Sequence, residues 1–158
     1  MDAMDQGLLD FWSALNYFNV RYILVGGVAV RFHGYNRSTD DLDVWIEDTL
    51  INRKNLRGAF FQLGYGDFEE IETMQFIPGW TSFYAAGIEV DFMTQILGLE
   101  DSTFDECYKS ASIIEFNEEL HVRFLHLNHL IIAKKATNRS KDQLDLEYLT
   151  RIQKLKPQ

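Results

Sequence analysis

Cysteine is almost missing from this chain: its 158 residues hold one, Cys107, which excludes an internal disulfide and any Cys-rich zinc site. Proline is nearly as scarce, with Pro78 in an expected turn and Pro157 at the end, so no Pro-rich linker divides the sequence. No apolar run approaches the ~20 residues that a membrane-spanning helix needs. The opening Met1-Asp2-Ala3-Met4-Asp5 is acidic where a secretory leader would be basic and then apolar. Basic charge is also short: residues 1–120 hold 7 of the 15 Lys/Arg but 21 of the 24 Asp/Glu. Such a surface disfavours sequence-independent binding to nucleic acid, which draws its affinity from Lys and Arg on phosphates. A soluble, cytoplasmic protein away from the membrane is the expectation.

What is present suffices for a core. Apolar residues make up 46% of the chain, with 12 Phe, 7 Tyr and 3 Trp, more than a disordered segment carries. The length suits one domain over residues 1–158. Its core is expected at about 20–125, followed by a helical segment at about 126–155. The net charge of −9 conceals a basic C-terminal segment, with 8 Lys/Arg and 3 Asp/Glu after residue 120. That segment can face one polyphosphate or an acidic partner, or simply be a solvated helix face.

Leu8, Phe11, Trp12, Leu15 and Phe18 recur at helical spacing over 7–18. Tyr22-Ile23-Leu24-Val25 reads as a buried strand entering a Gly26-Gly27 turn, with a short helix over 28–33 closed by Gly34. Residues 41–46 alternate as a strand, and 49–63 read as a helix. Strands are expected at about 71–77, 82–86 and 88–93, punctuated by Pro78-Gly79 and Gly87. A helix near 102–110, strands near 112–116 and 120–124, and two helices from about 127 complete the chain. Ser140 and Gln143 have capping-box spacing for the last helix. Interleaved helices and strands predict an α+β (mixed α/β) fold, a mixed sheet flanked by helices.

The chemistry concentrates in residues 22–46. Asp41 and Asp43 are two apart in a strand and so share one face, while Leu42, Val44 and Ile46 share the other. Neighbouring carboxylates repel unless a cation sits between them, and oxygen ligands of this kind suit Mg²⁺ with substrate phosphates. A lone Asp-x-Asp is equally the polar face of an edge strand. Three features bear on the choice. Gly26-Gly27 lets backbone approach phosphate oxygens closely, though glycine pairs also make plain turns. Asp91 stands between Val90 and Phe92 as a further carboxylate on a strand. Arg37 and Thr39 sit just ahead of the aspartates, where they can contact phosphate or order the loop.

Taken together, the order strand, Gly26-Gly27, helix, His33-Gly34, Arg37-x-Thr39-x-Asp41-Leu42-Asp43, then a later strand around Asp91, resembles the nucleotidyltransferase superfamily of the DNA polymerase beta fold. More narrowly it is similar to small bacterial nucleotidyltransferases grouped with the AbiEii toxins, as is the C-terminal run Leu130–Lys134 with Arg139–Leu146. The resemblance covers about residues 20–150. It implies metal-dependent transfer of a nucleoside monophosphate from a nucleoside triphosphate to an acceptor hydroxyl on RNA, protein or a small molecule. Asp41, Asp43 and Asp91 would hold two Mg²⁺ ions, or Mn²⁺, with Asp91 as base. Gly26 and Gly27 would hold the nucleotide's phosphates, with Arg37, Thr39, Lys134 and Arg139 as further nucleotide-binding residues. A toxin role would bring an antitoxin protein as partner. The same fold can also serve as a non-catalytic module that binds a nucleotide or a partner.

Other polar residues point elsewhere. His33 at a helix end reads as structural. His121, His126 and His129 lack the i, i+4 spacing with an intervening acid that a helical zinc site uses. Cys107 reads as buried packing. Trp45 shares the face of Asp41 and Asp43, where it can stack on a base or shield the sheet. Lys141, Asp142 and Asp145 read as ties between the last helix and the body.

Overall fold

Five apolar residues on one stripe make the first helix, α1 (Gln6–Tyr17), which buries Leu8, Phe11, Trp12, Ala14 and Leu15. The computed structural model describes residues 5–78, 81–85 and 87–156. After α1 come β1 (Tyr22–Val25), α2 (Gly26–Phe32), β2 (Asp41–Ile46) and α3 (Leu50–Gln62). Then follow a 3₁₀ turn (Glu69–Glu72), β3 (Ser82–Ala85), β4 (Ile88–Met93), α4 (Phe104–Ser110), β5 (Ser112–Glu115) and β6 (His121–Phe124). Two helices, α5 (Leu127–Thr137) and α6 (Ser140–Leu155), end the described chain. Among the described residues no helix is long and apolar enough to cross a membrane.

The six strands form one mixed sheet in the order β3-β4-β2-β1-β6-β5. β2 lies parallel to β4 and antiparallel to β1, while β1 lies parallel to β6. Leu42, Val44, Ile46, Val90 and Phe92 alternate onto one face and are fully buried. Phe60 of α3 packs there, with ring centroids 5.3 Å from Phe83 and 5.8 Å from Phe92. Asn52 of α3 fastens the helix to the strand ends: its Oδ1 accepts from the Arg21 N–H at 2.7 Å, and its Nδ2 donates to the carbonyls of Arg21 and Glu47.

The fold class expected from the sequence is the one observed; several local details differ. Residues 71–77 are not a strand. The Arg53 guanidinium donates to the carbonyls of Ile71 (2.9 Å) and Met74 (2.7 Å) and lies over the Phe76 ring, so a side chain takes the acceptors that a neighbouring strand would need. Gly26 and Gly27 open α2 rather than precede it. The last helix is capped one residue earlier than Ser140: the Asp142 carboxylate accepts the Arg139 N–H at 2.9 Å. Gly79 and Ala86 lie outside the described residues.

Candidate active site

The register of two parallel strands creates the centre of the site. Asp43 of β2 stands directly opposite Asp91 of β4, and Asp41 stands opposite Glu89. Because side chains alternate, all four turn away from the buried Leu42, Val44, Val90 and Phe92. Asp43 also pairs with Val25 at the end of β1, which brings the β1–α2 junction against its carboxylate.

The two glycines are required by that closeness. Gly26 has φ +65°, and a Cβ there would overlap the Asp43 carboxylate. A Cβ on Gly27 would come 2.9 Å from Thr39 Oγ1 and 3.0 Å from Arg37 Nη2. Gly-Gly is therefore the imprint of the later Arg37, Thr39 and Asp43 on the earlier segment. Thr39, itself buried, donates from Oγ1 to the Asp41 carbonyl at 3.2 Å and so shapes the loop that leads into β2.

A cluster of cations stands on another wall, supplied by the C-terminal hairpin. Lys134 of α5 is buried, with Nζ 3.0 Å from Asp145 Oδ2 and 3.2 Å from Asp142 Oδ1. Arg37 grips Asp145: Nη2 donates to Oδ2 at 3.0 Å, and Nε lies 2.8 Å from Oδ1. Arg139, in the turn between α5 and α6, donates to both oxygens of Asp142, and Thr137 Oγ1 donates to its Oδ2 at 2.7 Å. Burial would raise the Asp142 carboxyl, but the hydrogen bonds from Arg139, Thr137 and Lys134 outweigh it and hold the group well below the usual range.

Asp41, Asp43, Asp91, Gly26, Gly27, Arg37, Thr39, Lys134 and Arg139 all line one cavity of about 590 Å³. Asp43 responds strongly to its surroundings. Burial, then the charges of Asp41 and Asp91, push its carboxyl up to about 7, against the pull of Lys134 and Lys141. Among the described residues no three acidic, imidazole or thiol side chains close into a metal cluster. Of the three expected carboxylates, Asp43 and Asp91 face each other in the register, and the exposed Asp41 lines the same cavity. That donor set still fits a hard divalent cation. It offers carboxylate oxygens whose mutual repulsion a cation would relieve, in a cavity with room for phosphate ligands.

Several side chains differ in role from the sequence reading or escaped it. Trp45 shields the sheet: it is buried and packs edge-on against Phe104 of α4, with ring centroids 5.2 Å apart. Asp142 and Asp145 tie the last helix down as expected, whereas Lys141 lines the cavity and acts on Asp43. Thr137 and Gln95 also line it. A helix-turn threonine and a loop glutamine carry no sequence signal that could have marked them. His33 is structural, its Nε2 2.8 Å from the Leu125 carbonyl and its ring against Phe124.

The model of a protein family described as "Nucleotidyl transferase of unknown function (DUF2204)" matches residues 5–157. No curated protein matches the sequence. Among solved structures, the chain is similar to the solution structure of the antibiotic-resistance factor ANT(2'')-Ia, with TM-score 0.59 and 16% identity, covering 94% of this chain and 84% of that one. It is also similar to the crystal structure of ANT(2'')-Ia in complex with adenylyl-2''-tobramycin, with TM-score 0.57 and 15% identity, covering 90% and 84%. At these identities the likeness is one of fold.

Proposed function

This chain belongs to the DUF2204 family of nucleotidyl transferases, and on that premise we propose that it moves a nucleoside monophosphate from a nucleoside triphosphate to a hydroxyl of a small-molecule acceptor. The observation that carries this reading is the cavity's division of labour. Carboxylates occupy one wall, on β2 and β4, and a cluster of cations occupies another, on the Arg37 loop and the α5–α6 hairpin. A triphosphate carries several negative charges and needs both cations and metal. Lys134, Arg37 and Arg139 would take phosphate oxygens, with the Gly26-Gly27 backbone beside them.

Asp43 and Asp91, with Asp41 in the same cavity, would hold Mg²⁺ or Mn²⁺. Two such ions would neutralise the reacting phosphate and its leaving group. The acceptor oxygen bonds to the α-phosphorus as the bond to the β-phosphate oxygen breaks. Pyrophosphate leaves, and the acceptor proton passes to a carboxylate of the Asp43–Asp91 pair, Asp91 being the assigned base by resemblance. Asp43, whose carboxyl is pushed up by burial and by Asp41 and Asp91 while no cation is bound, would be drawn back to its ionised form by the metal it holds. Holding the reactants in line supplies much of such a reaction's rate.

A small acceptor is favoured by the adjoining space. A second cavity of about 500 Å³ shares Pro78, Gln95, Ile96 and Leu97 with the first, within the usual range for small-molecule sites. The acidic bulk of the chain argues against RNA, and the ANT(2'')-Ia complex holds an adenylylated small molecule. The toxin pairing implied by the AbiEii resemblance would instead make RNA or protein the acceptor. The test is incubation with each α-labelled triphosphate, Mg²⁺, and separately a small-molecule extract, total RNA or total protein. Label entering the small-molecule fraction with wild type, and not with Asp43→Asn, supports the reading. Label in RNA or protein overturns the choice of acceptor. Tight triphosphate binding with no transfer to any fraction makes this a binding module.

A further inference from the structure

Two acids in this molecule are buried yet line no part of the cavity. Asp142 and Asp145 are 0% and 1% exposed, and they stand behind a wall of cations that do line it. Burying a carboxylate is costly unless it is fully paired, so the arrangement needs a reason. Asp145 collects cations from two other segments. Arg37 reaches it from the loop before β2 at 2.8 and 3.0 Å, and Lys134 reaches it from α5 at 3.0 Å. The Arg37 head lies close enough to Gly27 that a Cβ there would crowd Nη2. With Arg139 on Asp142, the group sums to three cations on two acids, one positive charge in excess.

Resting on the transferase reading, we propose that Asp145 is a positioning residue for the triphosphate: it holds Arg37 and Lys134 together at the cavity wall, so that the C-terminal hairpin completes the phosphate site. A long guanidinium and a long ammonium have many rotamers, and fixing them ahead of binding removes an ordering cost that the ligand would otherwise meet. Arg37 is suited to this because its always-charged guanidinium meets one carboxylate through a hydrogen bond from Nη2 and an ion-pair contact at Nε.

The sign of the effect tests the proposal. Removing a negative charge near the phosphates would, by charge alone, tighten anion binding. Removing the residue that orients two cations weakens it. Calorimetric titration with Mg²⁺–tripolyphosphate and with Mg²⁺–ATP, at a temperature where every variant is folded, separates the two. Asp145→Asn leaves Lys134 its contact with Asp142 and should weaken both probes at least about tenfold, or ~1.4 kcal/mol. Tyr148→Leu serves as control. Tyr148 lies on the same helix, stacked on Tyr35 with centroids 4.6 Å apart, and its loss should lower the melting temperature while leaving both affinities within twofold. Should Asp145→Asn fail to fold, Asp145→Glu keeps the charge, displaces the fork and should also weaken binding. Affinity unchanged or increased in the Asp145 variants overturns the proposal, as does an equal loss in Tyr148→Leu. A wild-type protein that binds neither probe overturns the transferase reading itself, and this one with it.

Discussion

Asp43 is where the fold and the chemistry of this protein conflict, and its titration measures by how much. Burial and the charges of Asp41 and Asp91 push its carboxyl from 3.8 to about 7. The folded protein therefore holds this proton more tightly than the unfolded chain does. Its contribution to stability is full below about pH 4 and is lost as the pH climbs toward 7. Three pH units at about 1.4 kcal/mol each make the loss about 4 kcal/mol. Asparagine keeps the size of the side chain and removes the charge, so Asp43→Asn escapes that loss. For a chain of this length about 2–4 °C accompanies each kcal/mol. At pH 8 in EDTA, the variant should therefore gain on the order of 10 °C relative to its difference from wild type at pH 4. Melting both proteins by circular dichroism across pH 4–8 reads this directly. A difference between the two that stays constant over that range would refute the reasoning, because only an uncompensated charge at Asp43 makes it grow.

Three further outcomes are expected. Millimolar Mg²⁺ with a triphosphate should raise the wild-type melting temperature at pH 8 and do little for Asp43→Asn, since a ligand stabilises only the state that binds it; scanning fluorimetry is sufficient. Gly26→Ala places a side chain at φ +65° against the Asp43 carboxylate and should cost about 1–2 kcal/mol in urea unfolding from the backbone alone, with loss of triphosphate binding. Trp45→Ala removes a buried ring and should cost about 3–5 kcal/mol; at a temperature where the variant remains folded, triphosphate affinity should match wild type, whereas a weakened affinity would return Trp45 to the site.

The sequence disclosed most where chemistry and strand periodicity coincide. The alternation in Asp41–Ile46 and in Ile88–Phe92 gave both the strands and the carboxylates they carry, because a period of two fixes face and spacing together. The β1–Gly-Gly–α2 unit was legible on different grounds, an apolar run buried at every position that ends in two glycines. Strand order was not, since it depends on which edges meet far apart in the chain. The false strand at 71–77 shows the limit of pattern reading: its apolar residues are real, but the Arg53 guanidinium takes the backbone acceptors. Trp45 was ambiguous because facing the carboxylate side does not say whether α4 covers that end of it. The cation cluster was visible as residues but not as an assembly, for Arg37 and Asp145 meet only after the hairpin docks.

The pairing of Asp43 with Asp91 also has a kinetic meaning. Strands β2 and β4 run parallel, so no tight turn can join them, and the chain between them must place α3 and β3 before the two acids meet. Contacts between distant parts of a chain form slowly, because loop closure must precede any gain from them. A slip of one position in that register would turn Asp91 into the apolar interior and Phe92 toward solvent, the kind of error a half-buried strand strongly resists. The one ladder that sets Leu42 against Val90 and Val44 against Phe92 in the core also sets Asp43 against Asp91, so the carboxylate pair is made by the same pairing that closes the sheet.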